Sequence, residues 1–167
     1  VSGNGQRELS DIILGFRKHV GRLFFEGKDM AKANVESRLK MGVALIPENR
    51  IEAGILPDSS IADNLILGSK KRSEVTRRAL FVELLDREKV SRCCSKLISE
   101  DEIKTPSEKL PARLLSGGNI QKLLLARILS EQPKVLIAEQ PTRGLDVAAT
   151  DYVHRKLQEM RMKGIGI

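Results

Sequence analysis

Tryptophan is absent from this chain, tyrosine occurs once, and aromatic residues make up only 3% of it. A platform that stacks bases needs successive aromatic faces, so single-stranded DNA or RNA is not the expected ligand. Cysteine is also scarce. Cys93 and Cys94 are adjacent, which disfavours a disulfide between them, and they have no C-x-x-C partner pair for zinc. They read as reduced cysteines of a cytosolic protein. No apolar run approaches the roughly 18 residues of a membrane span, and the opening residues do not read as a secretory signal. Charge, by contrast, is plentiful. A charged content of 31% beside a hydrophobic content of 41% describes a soluble globular chain. The net charge of +7 suits an anionic partner: nucleotide, nucleic acid or an acidic protein face. A length of 167 residues allows one core with a small attached lobe. The chain opens without Met, inside what reads as a motif, and stops at "KGIGI", which reads as an interrupted strand. It is expected to be a piece of a longer cytoplasmic polypeptide.

The opening "VSGNGQRE" is most of a phosphate-binding loop. That motif, G-x-x-x-x-G-K-[ST], cradles phosphates with backbone amides, reaches them with a lysine and holds Mg²⁺ with a hydroxyl. Gly3, Asn4 and Gly5 fit the loop, but Gln6 stands at the lysine position and Arg7 at the hydroxyl position. Leu9, Ile12, Ile13 and Phe16 follow at helical spacing, so the loop is expected to open into an amphipathic helix. Helix N-termini offer free N–H groups and the positive end of a dipole to an anion.

Further along, "GRLFFEGKDM" predicts a short strand with a turn at Glu26–Gly27–Lys28, and "NVESRLK" a short helix. "VALIP" predicts a buried strand stopped by Pro47. In "DSSIADNLILG", Asp58, Ser59 or Ser60 is expected to cap a helix. From Lys70 to about Ile98 the pattern reads as helical and rich in Lys and Arg, ending at the break Thr105–Pro111. The last third alternates again: a helix near 118–131, a strand over 134–138 and a helix over 147–162. There is no internal repeat and no low-complexity tract.

Leu114 to Asp146, "LLSGGNIQKLLLARILSEQPKVLIAEQPTRGLD", carries most of the chemistry. Ser116 is a natural helix cap, and Gly117 and Gly118 let backbone amides approach an anion without a Cβ in the way. Leu123, Leu124, Ala126 and Ile128 continue as a helix, and Val135–Ala138 is an apolar strand ending in Glu139 and Gln140. Acidic residues at the C-terminal end of an inner α/β strand manage Mg²⁺ and attacking water in P-loop enzymes. Each piece alone is commonplace. Their order, with one helix and one strand between the last two, is not.

In that order the motifs resemble those of the nucleotide-binding domain of ATP-binding-cassette (ABC) transporters. "LSGGN" resembles the family signature, "VLIAEQ" the Walker B strand, "PTRGLD" the D-loop, "VSGNGQRE" an altered Walker A loop, and "ALIPENR" the Q-loop region with Glu48 where glutamine is usual. The likeness runs from Val1 to Ile167 and is strongest to the second cassette of duplicated importer ATPases for simple sugars and nucleosides. It implies an α/β, P-loop NTPase-like core with a small antiparallel β region and a helical subdomain, truncated at both ends. It divides the chain into residues 1–57, with the altered P-loop and Q-loop region, 58–113, the helical subdomain, and 114–167, with the signature, Walker B strand and D-loop. The implied ligands are ATP and Mg²⁺. Gly3, Asn4, Gly5, Gln6, Arg7 and Glu8 would line the phosphates, with Glu48 nearby. Glu139 would hold Mg²⁺ through water, and Gln140 would occupy the water-activating position. Ser116, Gly117, Gly118 and Asn119 would face the γ-phosphate of a partner cassette, and Asp146 would belong to the contact between the two. The implied partners are that cassette and transmembrane permease subunits, on the cytoplasmic face of the membrane; no nucleic acid is expected. The switch histidine of the family is expected beyond Ile167, and His154 does not match it.

The departures fall on chemical positions. Gln6 removes a fixed charge, Arg7 cannot ligate Mg²⁺ as a hydroxyl would, and Glu139 is longer than the usual aspartate by a methylene. Gln140 matters most, because an amide cannot take a proton from water, and loss of a general base costs about 10²- to 10⁴-fold. The site is therefore expected to bind nucleotide and hydrolyse it poorly, while the signature is intact. Two rivals stand beside an ATPase component. One is a non-hydrolysing pseudo-cassette with a regulatory role. The other is nucleic-acid binding through Lys70–Arg92, whose eight Lys or Arg against four acids also suit a solvated helix face.

Overall fold

In the computed structural model, which describes residues 4–69, 72–79 and 82–167, the glycine loop leads straight into α1 (Gln6–Leu14). The helix stops earlier than its apolar spacing predicts. Gly15 takes φ 88°, and its N–H bonds back to the carbonyls of Asp11 and Ile12. Phe16 is thus left outside the helix and exposed; Leu9, inside it, is exposed too, while Ser10 and Leu14 are buried instead. The C-terminal end of α1 is held by Arg38 of α2 (Val35–Met41), only 3% exposed. Its guanidinium donates to the carbonyls of Ile12, Ile13 (3.0 Å), Met30 (2.9 Å) and Ala33 (2.8 Å). A cation at a helix C-terminus meets the negative end of the dipole.

Between these helices, β1 (Phe24–Phe25) and β2 (Lys28–Asp29) pair antiparallel. Glu26 (φ 49°) and Gly27 (φ 76°) form the two-residue turn, both left-handed as a tight hairpin turn demands. The expected single strand is therefore a hairpin.

The strand "VALI", β3 (Val43–Ile46), pairs in parallel with β6 (Val135–Ala138), from Val43 opposite Val135 to Ile46 opposite Ala138. The terminal "KGIGI" reaches the other side of β6 through an isolated parallel bridge, Val135 to Gly166. Beyond β3 come a π-helical turn (Arg50–Gly54) and α3 (Ile61–Ile66), capped by Ser60 in a reciprocal box with Asp63.

The stretch from Lys70 to Ile98 departs from its helical prediction. After the short α4 (Arg72–Val75) the backbone forms an antiparallel hairpin, β4 (Thr76–Ala79) and β5 (Val82–Leu85), before α5 (Arg87–Glu100). Thr76 and Val82 favour a pleated strand, and the run of basic residues masked that preference. Residues 70, 71, 80 and 81 of that stretch lie outside the described residues.

The last third follows its pattern: α6 (Gly117–Ser130), β6 and α7 (Val147–Met162). Two buried clusters meet on α6. Ile120, Leu123 and Ala126 pack with Ile55, Ile61, Leu65, Cys94 and Ile103 of the helical lobe. Leu124 and Leu125 pack with Ile46, Leu136, Tyr152 and Val153. A third link joins lobe and core: the buried Tyr152 hydroxyl donates to Asp101 at 2.6 Å, and Lys156 lies 2.7 Å from the same carboxylate. Burial, then this bond, pushes the Tyr152 pKa up.

Cys94 lies fully inside the lobe cluster, and burial pushes its thiol up to about 12, aided by the charges of Cys93, Glu108 and Asp63. At pH 8 the native chain should therefore take up at most one carbamidomethyl group from iodoacetamide, and the urea-unfolded chain two, read by intact mass. Rapid double labelling of the native chain would contradict this packing.

Candidate functional site

Parallel strands β3 and β6 end side by side, and the Glu139 amide still donates to the Ile46 carbonyl at 2.9 Å. Past this edge lies an open cavity of about 810 Å³. One wall is the start of α1, with Gly5, Gln6, Arg7 and Glu8; the other carries Glu48, Glu139, Gln140 and Arg143. Gly5 takes φ 84° to turn the loop into α1, a conformation that costs an L-residue about 1–2 kcal/mol. No side chain caps that end of the helix, so first-turn amides remain to meet an anion.

Charges in the cavity are partly paired. The Glu48 carboxylate is bound by Arg143, and a Glu139 oxygen accepts the Glu48 amide at 3.4 Å. Arg7 has no ion-pair or hydrogen-bond partner among the described residues and lines both this cavity and its neighbour, about 620 Å³, beside Asn49 and Arg50. Gln140 is exposed and turns the chain with φ 42°, ahead of Pro141. Asn4 is exposed beside the loop, and Gly3 lies outside the described residues.

Hydrated Mg²⁺ in a phosphate loop is held by a loop hydroxyl and a strand-end carboxylate. Here the hydroxyl position is a guanidinium, Glu48 is taken by Arg143, and Glu139 leans on the Glu48 amide. This donor set does not fit the ion.

Ser116, Gly117, Gly118 and Asn119 lie apart from both cavities, at the start of α6. Ser116 is exposed and caps the helix, accepting from the Asn119 amide at 3.4 Å and from its side-chain nitrogen at 3.0 Å. A Cβ on Gly118 would sit 3.1 Å from that of Ala149, whose amide donates at 2.8 Å to Asp146, the cap of α7. Asp146 and the serine–diglycine corner are thus neighbours through Ala149.

Arg50 joins the two places, and the sequence reading missed it. Its guanidinium donates to the carbonyls of Arg143 (2.7 Å) and Gly144 (3.4 Å), and Nη2 lies 3.1 Å from where a Gly117 Cβ would be. With Glu48 bound to Arg143, residues 48–50 clasp residues 143–144 twice. Both arginines lie in motifs already singled out, "PENR" and "PTRGLD", but nothing in their spacing marks them as a clasp.

A glycine loop, a parallel-strand edge and a second amide corner at a helix start define a P-loop α/β domain. The chain belongs to the ABC transporter family, whose model matches residues 1–143. It is 38% identical over 165 residues to the guanosine import ATP-binding protein NupO of Bacillus subtilis, covering 98% of this chain and 32% of that protein. To the arabinose import ATP-binding protein AraG of Burkholderia pseudomallei it is 34% identical, covering 99% and 32%. The chain thus spans about a third of the length of these relatives. The fold is that of ABC ATPases. A dimeric, post-hydrolysis ATP-binding cassette MJ0796 with ADP and Pi superposes with TM-score 0.73 at 18% identity, over 99% of this chain and 69% of that one. A nucleotide-free cassette gives 0.72 at 22%, over 99% and 65%. Among the described residues no helix is long and apolar enough to cross a membrane.

Gly118→Ala sets a Cβ 3.1 Å from that of Ala149, against the roughly 0.5–1 kcal/mol that alanine gains over glycine in a helix, so it should be more favourable in an Ala149→Gly background than in the native chain. Urea denaturation of the four chains of this cycle checks it. Additive effects would mean that the two residues do not touch.

Proposed function

We propose that this chain is the nucleotide-binding cassette of an importer for a sugar or nucleoside, working on the cytoplasmic face of a membrane with permease subunits and a second cassette. Its kinship with import ATP-binding proteins for guanosine and arabinose supports the transport class. In this reading Gly3 to Glu8 receive ATP phosphates at residues 1–57, residues 58–113 form the helical subdomain, and residues 114–167 carry the signature and the strand-end pair. The likeness to second cassettes supports a C-terminal place in a duplicated protein. By analogy of architecture, Pro47–Ser60 faces the permease.

The chain's own site binds ATP with little turnover. Gln6 supplies no charge to the β/γ-phosphates, Gln140 has no basic lone pair for the attacking water, and Glu139 is what remains of the Mg²⁺-handling position. The single observation that carries the functional proposal is the exposed Ser116 at the start of α6, which does not line this cavity. There it would complete a site built on the partner's Walker motifs, with Asp146 at the contact. A regulatory, non-hydrolysing pseudo-cassette is the second reading, favoured by the presence of both Gln6 and Gln140 on the walls of one cavity.

In the assembled transporter, Ser116→Ala should lower ATP turnover by about 10²-fold, as loss of one phosphate donor does, and Gln6→Ala should do far less. Equal effects, or the reverse order, would defeat the proposal. Titration of the chain with ATP in Mg²⁺ should give binding without phosphate release. Vigorous release would show that Gln140 does not disable the site.

A further inference from the structure

We infer that the cavity at the start of α1 takes a nucleoside triphosphate without a metal ion, with Arg7 standing where the metal would be. This rests on the nucleotide reading above. It follows from the misfit between the donor set and Mg²⁺, and from where the charges lie.

Arg7 occupies the loop position whose hydroxyl would ligate the ion. It is the second residue of α1, immediately beside the uncapped amides, and it lines the cavity with no other group claiming it among the described residues. A planar guanidinium suits two phosphate oxygens at once, as Mg²⁺ would, and keeps its charge at every physiological pH. A divalent ion placed at the same phosphates would sit against that fixed charge.

The opposing charges make Arg7 decisive. Glu8, Glu48 and Glu139 line the same cavity as Arg7 and Arg143. Since Arg143 is spent on Glu48, Arg7 is the guanidinium left to offset Glu139 and Glu8. An anion therefore enters through the α1 amides and Arg7 together, not through a general surplus of positive side chains. Removing Arg7 leaves three carboxylates facing one committed arginine.

The experiment is calorimetric titration of the chain with ATP in excess EDTA and again in Mg²⁺. The two dissociation constants should agree within about twofold, whereas binding at least about tenfold tighter in Mg²⁺ would overturn the inference and leave the nucleotide reading intact. Absence of binding in both conditions would defeat both. Arg7→Ala should weaken the EDTA binding by about tenfold or more, the range for a charge-assisted bond, and Arg7→Lys, which keeps the charge but not the planar fork, should recover only part of it. Arg7→Ser, which restores the hydroxyl, should make binding depend on Mg²⁺. Circular dichroism of each variant excludes misfolding, which the exposed position of Arg7 does not favour. Unchanged EDTA binding in Arg7→Ala would likewise overturn the assignment.

Discussion

Helix α6 is the element on which the rest depends, because it is buried on two sides at once. Leu123, turned to the lobe, and Leu124 and Leu125, turned to the sheet, are each within 1% of complete burial. Burying a leucine contributes about 1.5–3 kcal/mol, so the three together weigh as much as a small domain's net stability. A helix apolar on opposite faces cannot shift toward one neighbour without opening a void beside the other. Its first turn, where Ser116 caps two glycines, is therefore fixed relative to both the lobe and the strand edge.

The same rigidity reaches the cavity through Arg50. The π-helical turn that carries it is docked on α6: Arg127 of that helix donates to the Gly54 carbonyl, and a Cβ on Gly54 would meet Leu124 at 3.2 Å. Asn49 caps the turn by accepting from the amides of Ile51 and Glu52. From this platform Arg50 grips the backbone at 143–144, and Glu48 holds the Arg143 side chain. Without the Glu48–Arg143 pair, Arg50 would be the remaining grip of residues 48–50 on the loop that leads to Asp146 and α7. A network of this kind is a physical connection between the two phosphate-type corners, with two interactions available to be rearranged.

Much of this was legible in the sequence because it depends on local rules. The helix starts at Ser60 and Ser116 are capped by short polar side chains, and β3 and β6 are apolar runs bounded by turn residues; their parallel pairing and the Asp146 cap of α7 emerge only in the fold. The hairpin after Val75 was not, since alternation in a stretch crowded with arginine and lysine reads equally as a solvated helix. Arg38 and Arg50 escaped for a different reason. Each works by donating to carbonyls on segments distant in sequence, and carbonyls leave no trace in residue identity. The buried face of α1 was misread because Gly15 ended the helix two residues before the apolar period did.

In the proposed function the two phosphate-type corners also differ in what substitution can erase. At the serine–diglycine corner the recognition elements are backbone amides and one hydroxyl, fixed by burial of the helix behind them. At the α1 corner the backbone turn is present, with Gly5 in its left-handed conformation, while Gln6, Arg7 and Gln140 stand at the positions to which the proposed function assigns charge and proton transfer. Amide cradles depend on φ and ψ, which the fold enforces, whereas lysine, hydroxyl and carboxylate functions depend on single side chains that the fold tolerates losing. A domain can therefore keep the shape of a nucleotide site when its chemistry changes, and in the proposed function Gln6, Arg7 and Gln140 lie at positions where shape gives no protection.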